Sequence, residues 1–267
     1  MKFQFLVSTM NKSESQVLDI VQANHLVPSA TVINQTKGDC YDYEKDGVRI
    51  YSYNERGLSR SRNRALERSD ADICLICDDD IMYKKDVYLD ITKAFEENPA
   101  YDIIAFFVKK DDVYALNQKE EIHEISFMQS LSLMSVQIAF KRKAIIENNI
   151  RFDELFGAGS GQYICGEENI FLSDCLRKGL KILYIPIEIA ALTESESTWF
   201  KGYDEIYFKT KGAVFYRMSK LLSIPLIGAF ALLKYNMYKK DMSFIKAFIA
   251  MFKGLIEYKG IAKNGKK

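Results

Sequence analysis

The strongest indication of the fold class is the segment Ala71-Asp-Ile-Cys-Leu-Ile-Cys-Asp-Asp-Asp-Ile81. Its apolar residues 73–77 form a run of strand length, too short for a buried helix. The run ends at three consecutive aspartates, Asp78, Asp79 and Asp80. A buried strand that ends in polar residues is typical of a parallel sheet, in which ligands bind at the carboxyl ends of the strands.

Strand-like and helix-like segments alternate on both sides of this run. Apolar or β-branched runs predict strands at residues 2–9, 30–35, 48–53, 101–108, 136–140 and 181–187. Helices are predicted at residues 13–24, 58–68 and 86–97, with a fourth that ends at Gly179 and a polar turn at 37–47. We therefore predict an α/β fold with a mostly parallel central sheet flanked by helices.

Composition and charge exclude several classes of protein. Hydrophobic residues make up 48% of the chain, as in globular proteins, and a net charge of +1 gives no reason to expect nucleic acid as a partner. Two histidines, His25 and His123, are too few for a multi-histidine zinc site. Cys74 and Cys77 face opposite sides of the predicted strand, so we expect buried, metal-free cysteines and a cytoplasmic location.

The C-terminal segment differs in character from the rest of the chain. Residues 221–233 are apolar but too few to span a bilayer, and residues 244–258 predict an amphipathic helix. Residues 234–267 contain nine lysines and two acidic residues, a net charge of +7. We expect an α/β domain over residues 1–215 and a basic amphipathic helical tail over 216–267 that favours an anionic membrane surface. The alternatives are a helical hairpin packed on the domain and a homo-oligomer contact.

The three aspartates are the first candidate site. Their concentrated negative charge repels itself unless a cation binds, and oxygen ligands favour a hard divalent ion such as Mg²⁺ or Mn²⁺. The alternative is a solvated acidic turn in which Asp80 caps the following helix.

The second candidate is the basic helix Gly57-Leu-Ser-Arg-Ser-Arg-Asn-Arg-Ala-Leu66. Arg60 and Arg64 form one row along it, and Ser59 and Asn63 form another, whereas Arg62 points elsewhere. A helix N-terminus with arginines beside a metal-binding turn suits a diphosphate. The alternative is a solvated helix whose arginines pair with neighbouring acidic residues.

The third candidate is Gly166-Glu167-Glu168-Asn169, which follows the glycine-rich loop Phe156-Gly-Ala-Gly-Ser-Gly-Gln162. A carboxylate here could deprotonate an alcohol if bound substrate excludes water. Acidic residues in a first helical turn are also favoured by the helix dipole alone. The glycine spacing, its late position and the lack of a preceding strand argue against a dinucleotide site.

Taken in order, these motifs over residues 2–200 resemble the family-2 glycosyltransferases, which are inverting enzymes with the nucleotide-sugar (GT-A) fold. The resemblance rests on Val7-Ser8-Thr9, the 57–66 helix, Ile76-Cys-Asp-Asp-Asp-Ile81 and Gly166-Glu-Glu-Asn169. The glycine loop followed by Gly-Glu-Glu-Asn is most similar to transferases of bacterial surface-polysaccharide synthesis.

The resemblance implies a role for each matching residue. Asp78 and Asp80 match the outer positions of the family's DxD motif, with Asp78 near the ribose or sugar and Asp80 on the Mn²⁺ or Mg²⁺. Thr9 matches a position that meets the nucleotide, and Arg62 matches the arginine that contacts the base or the diphosphate. Glu168 matches the general base, with Glu167 as the other candidate. Asp79 and Asn63 lie in the same motifs and join the expected donor-binding residues.

We therefore expect a metal-dependent glycosyltransferase of the hexosyltransferase type, peripheral at the inner face of the cell membrane. Its donor would be a nucleotide sugar, by expectation a UDP-sugar, and its acceptor a saccharide, expected to be lipid-linked. Residues 190–199 lack the histidine of many relatives, and the Gln-x-x-Arg-Trp motif of processive members is missing, which favours transfer of one sugar. The alternatives are a sugar nucleotidyltransferase and a non-catalytic nucleotide- or glycan-binding scaffold at the membrane.

Overall fold

The computed structural model describes residues 1–38, 40–109, 121–192 and 202–264. Within these residues the strands form one ten-stranded sheet. The strands are β1 (Phe3–Met10), β2 (Ala30–Gln35), β3 (Asp42–Lys45), β4 (Val48–Tyr53), β5 (Ile73–Asp78), β6 (Met82–Tyr83), β7 (Ile103–Lys109), β8 (His123–Glu124), β9 (Ile138–Lys141) and β10 (Ile182–Ala191).

The strand order is β3-β4-β2-β1-β5-β9-β7-β10-β6, and β8 pairs with β10. Six strands, β1, β2, β4, β5, β7 and β10, run in the same direction. Strand β9 lies antiparallel between β5 and β7. The predicted α/β class with a mostly parallel sheet is confirmed. The register between β1 and β5 pairs Ser8 with Asp78, which brings the ends of these two strands to the same edge.

Helices cover both faces of the sheet. They are α1 (Glu14–Ala23), α2 (Leu58–Arg68), α3 (Val87–Glu97), α4 (Phe127–Ser130), α5 (Arg142–Glu147) and α6 (Glu167–Arg177). One core packs beneath α1 and α3 and includes Cys77, and the other packs beneath α2, α5 and α6 and includes Cys74. The two cysteines are buried on opposite faces of β5, as the strand period requires.

One predicted turn contains a strand. Residues 42–45 form β3 within the region expected to be a polar turn, and they pair antiparallel with β4. An edge strand tolerates charged residues because one side of it faces water, so its sequence resembles a turn. In the structure the ring of Tyr43 packs against the core, so this strand has one half-buried position among its charged residues.

The C-terminal part of the chain forms packed helices: α7 (Glu205–Met218), α8 (Ser223–Leu233), α9 (Tyr235–Tyr238) and α10 (Phe244–Asn264). Helices α7 and α10 touch through glycines. A Cβ atom added to Gly212 would lie 1.7 Å from the carbonyl oxygen of Met251, and one added to Gly254 would lie 1.8 Å from that of Lys209. Helix α7 also packs on the start of α6 through Val214, so the expected boundary after residue 215 falls inside α7.

These helices leave an unusual number of apolar side chains in contact with water. Twenty large apolar side chains are exposed in the described part of the chain, and eleven of them lie between Leu221 and Ile256. Four of the eleven, Ile245, Ile249, Phe252 and Ile256, recur every three or four residues on the outer face of α10. None of the helices among the described residues combines the length and apolar composition needed to cross a bilayer.

Candidate active site

Arg62 is the centre of the candidate site. It projects from α2, and its side chain is 3% exposed. Its guanidinium donates from Nη1 to Glu167 Oε1 at 2.9 Å, and from Nη2 to Asp78 Oδ1 at 3.1 Å and Ser135 Oγ at 2.9 Å. One side chain thus joins the aspartate motif at the end of β5 to the glutamate pair at the start of α6.

The charge of Arg62 is maintained by its neighbours. Burial disfavours the charged form, but the carboxylates of Asp78, Glu167 and Glu168 outweigh it and raise the pKa of Arg62 above its ordinary value. Its Nε is buried without a hydrogen-bond partner among the described residues. A buried unpaired donor is costly, so this nitrogen suits an oxygen-rich ligand or a water molecule.

The end of β1 and the C-cap of α1 fix the turn that carries the aspartates. Thr9 Oγ1 donates to Asp79 Oδ2 at 2.5 Å, and Asn24 Nδ2 donates to the carbonyl oxygen of Asp79 at 2.9 Å. Asp79 is therefore held within the turn by these hydrogen bonds, whereas Asp80 is exposed. Partial desolvation, together with the nearby charges of Asp78 and Asp79, raises the pKa of Asp80 above its ordinary value.

This turn fits a divalent cation held partly by substrate. Within the described residues, no group of three His, Cys, Asp or Glu side chains converges closely enough to hold a metal unaided. Magnesium-type ions are commonly bound by one or two carboxylates and completed by substrate phosphates and water. Asp80 is crowded by like charges and is open to solvent, so with Asp78 it matches that ligand set.

The two glutamates have different surroundings. Glu167 is 5% exposed and holds the ion pair with Arg62. Glu168 is half-buried. Desolvation and the adjacent charge of Glu167 raise the pKa of Glu168 to about 7, although Lys211 and Arg62 oppose this rise. A carboxylate that titrates near neutral pH is suited to accept a proton from an alcohol.

The glycine-rich loop packs directly on this pair. A Cβ atom added to Gly157 would lie 3.2 Å from the Glu167 carboxylate and 3.3 Å from Ser59 Oγ, and its φ of +102° also favours glycine. Ser59 Oγ donates to the carbonyl oxygen of Phe156 at 2.7 Å, which ties the loop to α2. On its outer side the loop borders a cavity of about 360 Å³ whose other wall is formed by Ile206, Lys209 and Thr210 of α7.

The remaining polar residues of α2 serve the scaffold. Asn63 donates to the carbonyl oxygen of Phe152 at 3.0 Å and accepts from the Phe152 amide at 2.9 Å, so its contacts do not support donor binding. Arg60 pairs with Glu154 at 3.0 Å, and Arg64 lies 3.4 Å from Glu55. The alternative of a solvated helix with paired arginines therefore describes Arg60 and Arg64, but not Arg62.

Sequence reasoning missed three residues of this site. Ser135 lies on a short 3-10 helix, Asn24 is the C-cap of α1, and Lys211 is on α7, far from the motifs in sequence. None of them belongs to a recognisable pattern, and only the folded structure brings them close. The predictions from the missing histidine and from Trp199 concerned residues 190–199. Of these, residues 193–199 lie outside the described part of the chain.

Comparison with known proteins gives a family match for part of the chain. The family described as Glycosyl transferase family 2 matches residues 34–160, which include α2 and the aspartate motif. No curated protein sequence matches the chain.

Solved structures share the fold at low sequence identity. S. aureus TarS 1–349 in complex with UDP-GlcNAc has a TM-score of 0.61 and 13% identity, with 90% of this chain and 74% of that chain covered. The mannosyltransferase PcManGT from Pyrobaculum calidifontis, in complex with GDP-Man and Mn²⁺, has a TM-score of 0.57 and 12% identity, with 96% and 86% covered. Residues 34–160 thus match the family-2 glycosyltransferases, and the chain has the GT-A fold of these neighbours.

Proposed function

We propose that this glycosyltransferase is a metal-dependent inverting enzyme that moves one sugar from a UDP-sugar to a hydroxyl of a saccharide acceptor. The proposal rests on two ion pairs that Arg62 forms, one with Asp78 and one with Glu167. They put Asp78, the proposed donor-binding aspartate, and Glu167 against one buried cation. A donor and an acceptor could then meet between them.

The donor would bind along the edge formed by β1, β5 and α2. The hydrogen bond from Thr9 to Asp79 ties the end of β1 to the aspartate turn. Asp78 would face the ribose or sugar, and Arg62 would bind the diphosphate through its unpaired Nε. Asp80 and Asp78 would hold Mn²⁺ or Mg²⁺. When bound, this ion neutralises charge on the diphosphate and improves it as a leaving group. TarS in complex with UDP-GlcNAc and PcManGT with GDP-Man and Mn²⁺ support a nucleotide-sugar donor.

Glu168 is proposed as the general base. Its carboxylate would take the proton of the acceptor hydroxyl while that oxygen forms a bond to the anomeric carbon. The bond from the anomeric carbon to the diphosphate oxygen breaks in the same step, and its electron pair leaves with the nucleoside diphosphate. Arg62 would stabilise the charge that develops on this leaving group. Glu167 is the weaker candidate because its carboxylate is already held by Arg62.

The acceptor is proposed to be lipid-linked and presented at an anionic membrane surface. The support is the outer apolar face of α10 together with Lys246, Lys253, Lys259 and Lys263 on the same helix. Apolar side chains beside lysines are the composition that binds anionic interfaces. This would keep the enzyme at the inner face of the cell membrane, with a homo-oligomer contact as the competing use of the face.

The test is a transfer assay with a panel of UDP-, GDP- and other nucleotide sugars, Mn²⁺ and lipid-linked saccharide acceptors. The proposal predicts release of a nucleoside diphosphate and a product with inverted anomeric configuration. Pyrophosphate release from a sugar phosphate and a nucleoside triphosphate would instead identify a nucleotidyltransferase. Metal-dependent ligand binding with no turnover of any donor would identify a scaffold.

A further inference from the structure

We propose that Lys211 is a positioning residue for Glu168: its ammonium group, on the side of α7 that packs on the start of α6, keeps the Glu168 carboxylate ionised. This inference rests on the proposed role of Glu168 as general base. It concerns a residue of the C-terminal helices, outside the segment that matches the family.

The placement of Lys211 follows from two contacts of α7. One is a hydrogen bond of 3.3 Å from the Ile164 amide to Thr210 Oγ1, and the other is the packing of Val214 on Gly166, the N-cap of α6. Residues three or four apart share a helix face, so Lys211 lies on the face defined by Val214. Lys211 therefore lies on the side of α7 that packs on the first turn of α6, where Glu167 and Glu168 begin the helix.

The charges of the two glutamates explain why a second cation near Glu168 matters. Two adjacent carboxylates in a desolvated site repel each other, and Arg62 forms its ion pair with Glu167. Glu168 needs a second cation if it is to be ionised near neutral pH. Lys211 is half-buried, and its ammonium group lies 5.5 Å from the centre of the Tyr207 ring, a cation–π contact that restricts where it can point.

The charges around Glu168 come from three sides. Its own turn contributes Glu167, α2 contributes Arg62, and α7 contributes Lys211, which itself lies near the titratable groups of Cys165 and Tyr207. Burial favours the neutral amine, but Cys165, Tyr207 and the two glutamates outweigh it and raise the pKa of Lys211. Lys211 therefore stays positively charged throughout the range in which Glu168 titrates.

The experiment measures the ionisation of Glu168 without relying on turnover. Protein labelled with ¹³C at glutamate side chains is titrated by NMR, and the Glu168 signal is assigned by its loss in Glu168→Gln. In Lys211→Met the carboxyl should titrate at least one pH unit higher than in wild type, a tenfold weaker acid. Lys211→Arg should restore the wild-type midpoint. Lys178→Met, which removes a charge at the far end of α6, should leave it unchanged.

The same variants are then assayed for kcat/KM against pH. The acid limb should move upward in Lys211→Met by the shift that NMR gives, with activity recovered at high pH. Lys211→Gln, which keeps a polar chain, replaces Lys211→Met if the latter does not fold by circular dichroism. An unchanged Glu168 midpoint in folded Lys211→Met or Lys211→Gln overturns the proposal. A shifted midpoint in a protein that transfers no sugar would support the effect of Lys211 on Glu168 and reject the proposed function.

Discussion

Arg62 and Glu167 are 105 residues apart in the sequence, yet Nη1 and Oε1 lie 2.9 Å apart in a buried ion pair. The same guanidinium binds Asp78. The two acidic motifs of the chain are therefore parts of one charged cluster. Its stability depends on a single arginine, because a buried carboxylate without a partner is strongly destabilising.

Arg62→Met should consequently destabilise the fold. The substitution leaves the buried carboxylate of Glu167 beside Asp78 without their shared cation, and we expect a loss of about 3–5 kcal/mol in the free energy of unfolding. Urea denaturation measures it. Arg60→Met is the matched control, because Arg60 and Glu154 form a half-exposed pair that contributes under about 1 kcal/mol. Equal losses in the two variants would contradict the central role of Arg62.

Glu168→Gln should change how stability depends on pH. The pKa of Glu168 rises on folding from its ordinary value of 4.5 to about 7. A protonated Glu168 therefore favours the folded state below about pH 4.5, and this advantage is lost as the pH rises through 7. The glutamine variant stays neutral, so it should exceed wild type in stability at pH 8 by up to about 3 kcal/mol, and differ little at pH 4.5.

Melting temperatures at the two pH values measure this difference. Glu97→Gln, at an exposed position on α3, is the control. It should change the melting temperature by the same small amount at both pH values. The glutamine variant should also retain donor binding and lose transfer. Wild-type turnover in Glu168→Gln would move the base to Glu167 or elsewhere.

Gly212→Ala should separate α7 from α10. Its methyl group would lie 1.7 Å from a backbone oxygen, which cannot move without shifting the helix, so we expect a loss of about 1–3 kcal/mol or more. Gly260→Ala is the control on α10, since no atom lies within 4 Å of its added Cβ and alanine favours the helix by about 1 kcal/mol. If thermal unfolding ranks the two variants equally, the glycine contact does not hold the helices together.

Replacing Ile245, Ile249, Phe252 and Ile256 with serine should release the protein from anionic vesicles. Full burial of one such side chain stabilises by about 1.5–3 kcal/mol, so loss of four should weaken binding at least about hundredfold. Sedimentation with phosphatidylglycerol vesicles measures it, and Leu89→Ser on α3 is the control because that side chain is exposed on the α/β domain. Wild-type protein that never sediments with vesicles would instead favour a contact between subunits.

Much of this architecture could be predicted from sequence because its signals are local. The apolar run before Asp78 predicted β5, and the glycine before each motif marked the starts of α2 and α6. The position of β9 depends on a non-local antiparallel pairing with β5 and β7, which periodicity does not reveal. Ser135 and Lys211 reach the site only through such long-range packing.

Helix α10 illustrates why burial was harder to predict than helicity. The apolar stripe predicted its existence, but much of that stripe faces water. The buried face instead carries smaller residues, including Ala247, Ala250 and Gly254. Close approach to α7 requires small residues at the contact, so four large side chains of the stripe, Ile245, Ile249, Phe252 and Ile256, are left outside. The partner helix, not the stripe itself, decided which face was buried.

Calorimetric titration with nucleoside diphosphates, with and without Mn²⁺, is the decisive measurement for the nucleotide-sugar site. One diphosphate, UDP by expectation, should bind wild type only when Mn²⁺ is present. Asp80→Ala should lose this metal-dependent binding, while Asp86→Ala, just before α3, should keep it. Absence of binding by every diphosphate in Mn²⁺, or unchanged affinity in Asp80→Ala, would contradict a nucleotide-sugar site built on Asp78, Asp80 and Arg62.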